Sequence, residues 1–237
     1  MLTIICAGRG KMAAALRDYC KVKGIPCILY AEGSIESTFN PDAENVAIHF
    51  GKGRELRPLL SFCEENGMPL IQGSTNMDDS IFVDVAVPVI DAPNLSLSIV
   101  AFLATLPSIA ETFKKLSDLE ITLAESHQDT KPDIPSGTAQ LIARIFGISL
   151  SSITVIRNKL IASLLGVPKE HLDGHGYHWL NIKSEGVDVE LSIKANGRDT
   201  YAHGAIAIAK LVCVSKEELL PGVHTVTDLM TNEDIAW

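Results

Sequence analysis

The stretch LTIICAGRGKMAAAL, residues 2–16, decides the expected fold. A short apolar run leads directly into glycines and then into an alanine-rich segment, which predicts a strand, a tight turn and a helix. Gly8, Gly10 and Ala13 match the pattern G-x-G-x-x-[GA]. In that pattern the glycines let the backbone approach a pyrophosphate, whose charge lies at the helix N-terminus. The motif alone also fits an ordinary strand-to-helix turn.

The next segments continue the pattern of a dinucleotide-binding half. The predicted helix runs to Lys23 and stops at Gly24, a natural C-cap. The run IPCILYAE then predicts a second strand that ends in Glu32. A carboxylate about 20 residues beyond the glycines is where such folds bind the adenosine ribose. A single glutamate at a strand end is otherwise an ordinary surface residue.

Three further runs, NVAIHF, MPLIQGST and VDVAVPVIDAPN, predict strands that alternate with helices. This alternation predicts an α/β fold, with a Rossmann-like doubly wound parallel sheet. Ligands of such sheets lie at the carboxyl ends of the strands. Small and polar residues gather at those predicted ends, at 51–52, 73–75 and 92–94. We therefore expect these loops to form a cofactor edge.

The pattern changes after Asn94. A long apolar helix, the strand LEITLAESH and a helix from Thr138 to about Phe146 are followed by ITVIRNKL, YHWLNIKS and VDVELSIKAN, which predict a mixed or antiparallel sheet. RDTYAHGAIAIAKLV predicts a helix, and the tail ELLPGVHTVTDLM predicts irregular structure. We expect a dinucleotide-binding domain of residues 1–96 with 204–237, and an α+β substrate-binding domain of residues 97–203.

The composition narrows the class of protein. The 237 residues are 46% hydrophobic and 21% charged, which is typical of a globular protein. A net charge of −9 argues against nucleic-acid and anionic-membrane partners, which need a basic surface. No signal-peptide pattern is present, and prolines interrupt the longest apolar run, at 92–110, so we expect no membrane span. The five cysteines form no CxxC pair, which favours reduced thiols in a cytoplasmic protein.

The stretch ESHQDTKPDIPSGTAQ, residues 125–140, carries the candidate chemistry. His127 can move a proton near neutral pH, and Lys131 can attract an anion or give up a proton. Ser136 and Thr138 add hydroxyls at a helix start, whose free N–H groups can bind a carboxylate. This set suits a small dianionic acid that is reduced by hydride with a locally supplied proton. A capped helix beside a solvated charged loop is the alternative interpretation.

The same stretch closely resembles the signature of the dihydrodipicolinate reductase family, E-x-H-H-x-x-K-x-D-A-P-S-G-T-A. The segments ICAGRGKMAAAL, IQGST, APNLS and SIKANGRDTYAHGA resemble further family segments, so the resemblance spans nearly the whole chain. Family members reduce 4-hydroxy-tetrahydrodipicolinate with a nicotinamide cofactor on the bacterial route to diaminopimelate and lysine. The resemblance implies this activity, a small dicarboxylate substrate and a homotetramer, with the second domain also serving oligomerisation.

The resemblance also implies residue roles. His127 falls on the proposed proton donor, and Lys131 falls on the second catalytic position, which contacts a carboxylate. The implied substrate-binding positions are Gln128, Ser136, Gly137 and Thr138. The implied cofactor contacts are Ala7, Gly8, Arg9, Gly10, Lys11, Met12, Glu32, Gly33, Lys52, Gly73, Ser74, Thr75, Ala92, Pro93, Asn94 and Leu95.

The chain departs from the family pattern at several positions. The second histidine of the signature is Gln128 here, which can hydrogen-bond a carboxylate but cannot carry charge. The first family glycine is Ala7, and the family's Asp-Phe-Thr is His49-Phe50-Gly51. Gly33 stands where some relatives have arginine, so with Glu32 the site favours NADH.

Several alternatives stay open. Lys52 can still attract the 2′-phosphate of NADPH, so use of both cofactors is possible. Histidines gather in HLDGHGYHW, but their spacing fits no strong metal-binding pattern, so we expect no metal; His178 matches a family Gly-Glu-His. One alternative function is an NAD(P)-dependent reductase of another small imine or amino acid, favoured by Gln128 and by the poor match over 159–177. The other is a non-catalytic dinucleotide-binding homologue.

Overall fold

A computed structural model describes residues 1–35, 37–74, 79–215 and 218–232. The chain divides into two compact units, residues 1–100 with 198–237 and residues 101–197. The predicted domain boundaries lay at 96/97 and 203/204, and the roles assigned to the two domains remain predictions. None of the helices in the described part of the chain combines the length and apolar character needed to cross a membrane.

The described residues form eleven strands and seven α-helices. The strands are β1 Leu2–Ala7, β2 Cys27–Ala31, β3 Ser34–Ile35, β4 Glu44–His49, β5 Leu70–Gln72, β6 Pro88–Asp91, β7 Glu120–His127, β8 Thr154–Ile156, β9 Gly176–Ser184, β10 Val187–Ala195 and β11 Gly222–Thr225. The helices are α1 Lys11–Lys23, α2 Gly53–Glu65, α3 Leu97–Phe113, α4 Gly137–Phe146, α5 Lys159–Leu164, α6 Asp199–Val214 and α7 Val226–Thr231.

The first unit contains a seven-stranded sheet of order β11-β6-β5-β4-β1-β2-β3. All neighbouring strands are parallel except β3, which pairs antiparallel with β2. The chain leaves β1, crosses to β2 on one side, and then continues to β4, β5 and β6 on the other. The predicted doubly wound parallel sheet is therefore confirmed, and its carboxyl ends form one edge.

Helices cover both faces of this sheet. Successive residues of a strand point to opposite faces, so the central strands are apolar throughout. One face includes Ile4, Ile48 and Ile71, and packs against residues of α1 and α6. The other face includes Ile5 and Ala47, and packs against α2. Two hydrophobic layers hold the strand ends, and hence the loops that follow them, in place.

The second unit contains a four-stranded sheet of order β10-β9-β7-β8. Strand β9 is antiparallel to both β10 and β7, whereas β8 is parallel to β7, so the predicted mixed sheet is confirmed. Helix α4 follows the loop after β7, and Gly147 ends it in the left-handed conformation, with φ 70°.

Three details of the predicted secondary structure are wrong. The run ITVIRNKL is a strand only to Ile156, because the side chain of Asn158 accepts hydrogen bonds from the backbone N–H groups of Leu160 and Ile161 and so begins α5. The C-terminal tail is ordered, since β11 pairs with β6 and a capping box between Thr225 and Asp228 begins α7. The predicted fifth strand is shorter, and only 88–91 is extended.

Candidate active site

In the turn after β1, the backbone at Gly8 lies very close to the backbone of Phe50, which follows β4. Gly8 has φ 124°, and a Cβ there would lie 2.8 Å from the carbonyl carbon and oxygen of Phe50. The backbone N–H of Phe50 donates to the carbonyl of Ala7 at 2.7 Å. Only glycine satisfies both the conformation and the contact. The side chain of Ala7 itself is fully buried in the core, so its contribution to a ligand is restricted to its backbone.

The start of α1 is open to a ligand. Gly10 is the N-cap in an extended conformation, no side chain caps the helix, and its first turn carries no acidic residue. The first backbone N–H groups of the helix are therefore available to an anion. Lys11 is exposed and Met12 is half-buried at the same turn. The residues present fit the pyrophosphate of a dinucleotide.

Glu32 and Gly33 form the turn after β2. Both have positive φ, 53° and 83°. The carboxylate of Glu32 lies 3.8 Å from the guanidinium of Arg9, and both side chains are largely exposed. A Cβ on Gly33 would meet nothing within 4 Å, so the position has room for a side chain but has a backbone conformation that disfavours one.

The loops after β4 and β5 are joined to each other. The hydroxyl of Ser74 donates to the carbonyl of Gly51 at 2.9 Å, and the backbone N–H of Gly73 donates to the carbonyl of His49 at 3.0 Å. A Cβ on Gly73 would lie 2.5 Å from the ring of Phe50. Exposed Lys52 caps the start of α2 through its backbone. The predicted contact at Thr75 lies outside the described residues.

The loop after β6 contributes less exposed surface than expected. Ala92 and Leu95 are buried in the core, so their side chains face away from solvent. Pro93 is exposed, and the side chain of Asn94 accepts a hydrogen bond from the backbone N–H of Ser96 at 3.0 Å. The predicted cofactor positions among the described residues thus follow the carboxyl ends of β1, β2, β4, β5 and β6.

The second unit assembles its site across its sheet. Glu125 and His127 are two residues apart on β7 and therefore share one face. His178 on β9 lies directly opposite Glu125 in the antiparallel register. Gly176 lies opposite His127, where a Cβ would come within 3.1 Å of the imidazole Nε2. The glycine leaves room for the His127 ring.

Glu125 is a fully buried carboxylate with several donors. The guanidinium of Arg157 donates to it at 2.6 Å, and the backbone N–H of Ser136 lies 3.2 Å from both carboxylate oxygens. Burial alone would raise the pKa of Glu125, but hydrogen bonds from His178, Ser136 and Arg157 outweigh it and hold the pKa well below its usual range. Glu125 is therefore a buried anion at neutral pH.

His127 is nearly buried beside this anion. Its Nδ1 lies 3.5 Å from a Glu125 oxygen with a side-chain exposure of 12%. Its ring meets the ring of His178 edge to face, with centroids 5.1 Å apart. Burial and the neighbouring His178 lower the pKa of His127, and the attraction of Glu125 only partly opposes them. The imidazole is therefore uncharged at neutral pH.

The remaining predicted residues follow in the loop before α4. The ammonium of Lys131 pairs with Asp133 at 3.0 Å and is about three-quarters buried, with 26% of the side chain exposed. The Ser136 hydroxyl lies 3.1 Å from His178 Nε2 and accepts from the N–H of Ala139. Ser136 is therefore occupied as the N-cap, and the first helical residues, Gly137 and Thr138, remain accessible. Gln128 is half-buried.

Sequence reasoning missed the role of Arg157. Its guanidinium also donates to the carbonyl of Asp133 at 3.1 Å, so it ties the loop before α4 to Glu125. A usable signal existed, because Glu125 falls on the same strand face as buried Leu123 and an isolated buried carboxylate needs a cation. Arg157 was not recognised as this cation because the run ITVIRNKL was predicted to be a strand throughout.

Three of these side chains could also present ligands to a metal ion. Glu125, His127 and His178 place three ligand atoms within 4.8 Å of one another, the one such group found among the described residues. The carboxylate, however, already holds the guanidinium of Arg157 at 2.6 Å. That guanidinium binds Oε1, whereas the imidazoles of His127 and His178 face Oε2 at 3.5 and 3.6 Å, so the expectation of no metal stays a prediction. His175, from the histidine-rich stretch, instead hydrogen-bonds Ser126 at 2.9 Å.

Comparison with known proteins identifies a family and several relatives. The family model for the C-terminus of dihydrodipicolinate reductase matches residues 98–230, more than half of the chain. The 4-hydroxy-tetrahydrodipicolinate reductase of a Nitratiruptor species is 32% identical over 203 residues, covering 78% of this chain and 76% of the relative. The probable chloroplastic reductase 1 of Oryza sativa subsp. japonica is 34% identical over 156 residues, 60% of this chain and 45% of that relative.

The chain thus spans about half the length of this plant relative. Among solved structures, the dipicolinate-bound dihydrodipicolinate reductase from Paenisporosarcina sp. TG-14 has the same fold, with a TM-score of 0.62 and 16% identity over 96% of this chain and 99% of that one. Together with the matched family model, these relatives show that the chain belongs to the dihydrodipicolinate reductase family.

Proposed function

We propose that the chain reduces 4-hydroxy-tetrahydrodipicolinate to tetrahydrodipicolinate with NADH or NADPH, as a step of diaminopimelate and lysine biosynthesis. The observation that carries the proposal is the arrangement around Glu125. A buried anion, held by Arg157, positions an uncharged imidazole, a partly buried lysine and an accessible helix start within one short segment. Membership of the reductase family supports the same reaction.

The cofactor is proposed to bind along the strand ends of the first unit. The open start of α1 and the tight turn at Gly8 suit a pyrophosphate, and we assign to Glu32 the hydrogen bonds from ribose hydroxyls. When bound, the nicotinamide supplies the hydride. Glu32 and the arginine-free turn at Gly33 favour NADH, whereas exposed Lys52 leaves NADPH as a second cofactor.

The substrate carboxylate is proposed to bind at the start of α4. The backbone N–H groups of Gly137 and Thr138 and the hydroxyl of Thr138 can donate to it, since Ser136 is already engaged as the N-cap. Gln128 can add a neutral hydrogen bond. Lys131 contributes positive charge, which a dianion requires.

The reaction consumes one hydride and one proton and releases the 4-hydroxyl group as water. Because burial lowers the pKa of His127, its ring is uncharged at neutral pH before substrate binds. We therefore assign the proton to Lys131 and assign hydrogen bonding of the substrate to His127. The Asp133 carboxylate, 3.0 Å from the Lys131 ammonium, keeps the lysine side chain oriented before substrate binds.

The proposed location and assembly rest on other observations. All five cysteines are free thiols, which supports a reducing, cytoplasmic compartment. The homotetramer is carried over from the family resemblance. Light scattering of the purified chain tests it directly.

A coupled assay tests the function. Purified chain, NADH or NADPH, and substrate generated in situ by dihydrodipicolinate synthase from pyruvate and aspartate semialdehyde are followed by the absorbance of the reduced cofactor. Synthase-dependent oxidation is expected, faster with NADH. Absence of oxidation by a chain that still binds dinucleotide would reject the proposed substrate and favour another imine or a non-catalytic role.

Lys131→Ala tests the proton assignment. Turnover should fall by at least about a hundredfold, as is usual when a general acid is lost, while dinucleotide affinity stays unchanged. Lys183→Ala, at an exposed position on β9, is the matched control and should retain full turnover. Turnover that survives Lys131→Ala would remove this lysine from the mechanism.

A further inference from the structure

Two of the proposed cofactor loops, those after β4 and β5, meet at a polar group buried in the first sheet. His49 ends β4 and Gln72 ends the neighbouring strand β5; their side chains are 0% and 1% exposed. The imidazole Nδ1 and the Gln72 Oε1 are 2.7 Å apart. A polar pair this deeply buried is costly unless its hydrogen bonds are satisfied, so its position beneath the ligand loops needs a reason.

The hydrogen bonds around Gln72 fix the direction of this contact. Gln72 Oε1 also accepts from the backbone N–H of Ser74 at 3.4 Å, and Gln72 Nε2 donates to the Ser74 carbonyl at 3.3 Å. The amide is therefore oriented with its oxygen towards His49. It follows that His49 donates from Nδ1–H and that its Nε2 carries a lone pair.

The Nε2 side of the imidazole packs against the loop after β4, at Gly51. A Cβ on Gly51 would lie 2.9 Å from His49 Nε2 and would also overlap the Glu55 carboxylate, so the ring lies directly under this glycine. Within the described residues Nε2 has no hydrogen-bond partner. Burial lowers the pKa of His49 and outweighs the hydrogen bond to Gln72 and the charge of Glu55, which raise it, so the ring is neutral at neutral pH.

One imidazole therefore reaches two loops. The imidazole contacts Gly51 directly and is linked to Ser74 through Gln72. The Ser74 hydroxyl in turn donates a hydrogen bond to the Gly51 carbonyl at 2.9 Å, so the two loops are also joined to each other. The adjoining Phe50 extends the contact to Gly8, whose missing Cβ accommodates the Phe50 backbone. Gly8 and Ser74 are both proposed cofactor positions, so the buried pair lies beneath the loops that would hold the ligand.

We propose that His49 is a positioning residue for the dinucleotide, which sets the spacing of the loops after β4 and β5 through its hydrogen bond to Gln72. This inference rests on the proposed function, because it assumes that these loops hold the cofactor. His49 replaces the aspartate of the family pattern. A carboxylate at this position would offer no proton to the Gln72 oxygen.

The test is titration of the full chain with NADH and with NADPH, measured by calorimetry without substrate. His49→Leu fills the space but removes the donor, and should raise the dinucleotide Kd about tenfold, the effect of one hydrogen bond with its buried acceptor left unpaired. His49→Asn places an N–H donor near the position of Nδ1 and should keep the Kd within about threefold of the parent chain.

Each outcome decides the matter. Weak binding by His49→Leu with rescue by His49→Asn supports the inference, whereas equal binding by His49→Leu and the parent overturns it and leaves the reductase proposal standing. Equal weakening by both variants overturns it as well, because the donated hydrogen bond would then be irrelevant. A parent chain that binds neither dinucleotide overturns this inference and the proposed function together. If His49→Leu fails to fold, Gln72→Leu removes the same link and replaces it in this comparison.

Discussion

The two candidate binding regions of this chain are built by different means. At the strand ends of the first unit, glycines and backbone hydrogen bonds hold the loops, and the charged side chains Arg9, Glu32 and Lys52 are exposed. In the second unit, side chains hold the site, with a buried anion at its centre. Exposed charges at the first region can change with little effect on folding, whereas the second region should lose stability as soon as its charge balance is broken.

The largest effect is expected from Arg157→Leu. The substitution leaves Glu125 as an uncompensated buried carboxylate and releases the Asp133 carbonyl. Breaking a buried ion pair on one side costs about 3–5 kcal/mol, and the free energy of unfolding in urea should fall by that amount. The pKa of Glu125 should rise once the guanidinium is gone.

Two companion variants separate charge from packing. Arg144→Leu makes the same substitution at an exposed position on α4 and should change stability by less than about 0.5 kcal/mol. Glu125→Gln combined with Arg157→Leu removes the stranded charge while keeping an acceptor for the Ser136 N–H, and should recover part of the loss. If the double variant is no more stable than Arg157→Leu, the ion pair is not what holds the loop.

A smaller effect is expected from pH. Because the pKa of His127 is lowered in the folded chain, below about pH 6.5 the unfolded chain binds a proton that the folded chain does not, and stability falls as pH falls. The lowered pKa of Glu125 acts in the same direction in a lower window, below its ordinary value of 4.5, where its stabilisation is lost as pH falls.

His127→Gln should flatten the upper window. The slope of unfolding free energy between about pH 6.5 and pH 5 should decrease by up to about 1.4 kcal/mol per pH unit, the contribution of one proton. Some slope should remain, because burial also lowers the pKa of His49 and His175. Identical slopes in the parent and the variant would mean that His127 is already charged in the folded chain.

The same contrast explains what the sequence could predict. Glycine turns and apolar strands are local signals, and they correctly predicted the parallel sheet with its loops at one edge. The network around Glu125 joins β7, β9 and the loop after β8, so its geometry follows from sheet register. Arg157 was assigned to a strand interior because the cap formed by Asn158 is a single side-chain contact with no periodicity. The prediction of an irregular C-terminal tail was wrong for a similar reason, since β11 is defined by its pairing with β6, which is distant in sequence.

The smallest effect is expected at the first region, from Glu32→Ala. The carboxylate should accept from ribose hydroxyls and repel a 2′-phosphate, and its removal also frees Arg9, 3.8 Å away. Exposed charge interactions contribute up to about 1 kcal/mol, so the Kd for NADPH should fall up to about fivefold while the Kd for NADH rises, with unfolding unchanged. Glu65→Ala is the matched control, because the exposed Glu65 ends α2 near the amino edge of the sheet, away from these loops. An unchanged ratio of the two affinities in Glu32→Ala would mean that Glu32 does not read the ribose, and cofactor choice would then fall to Lys52.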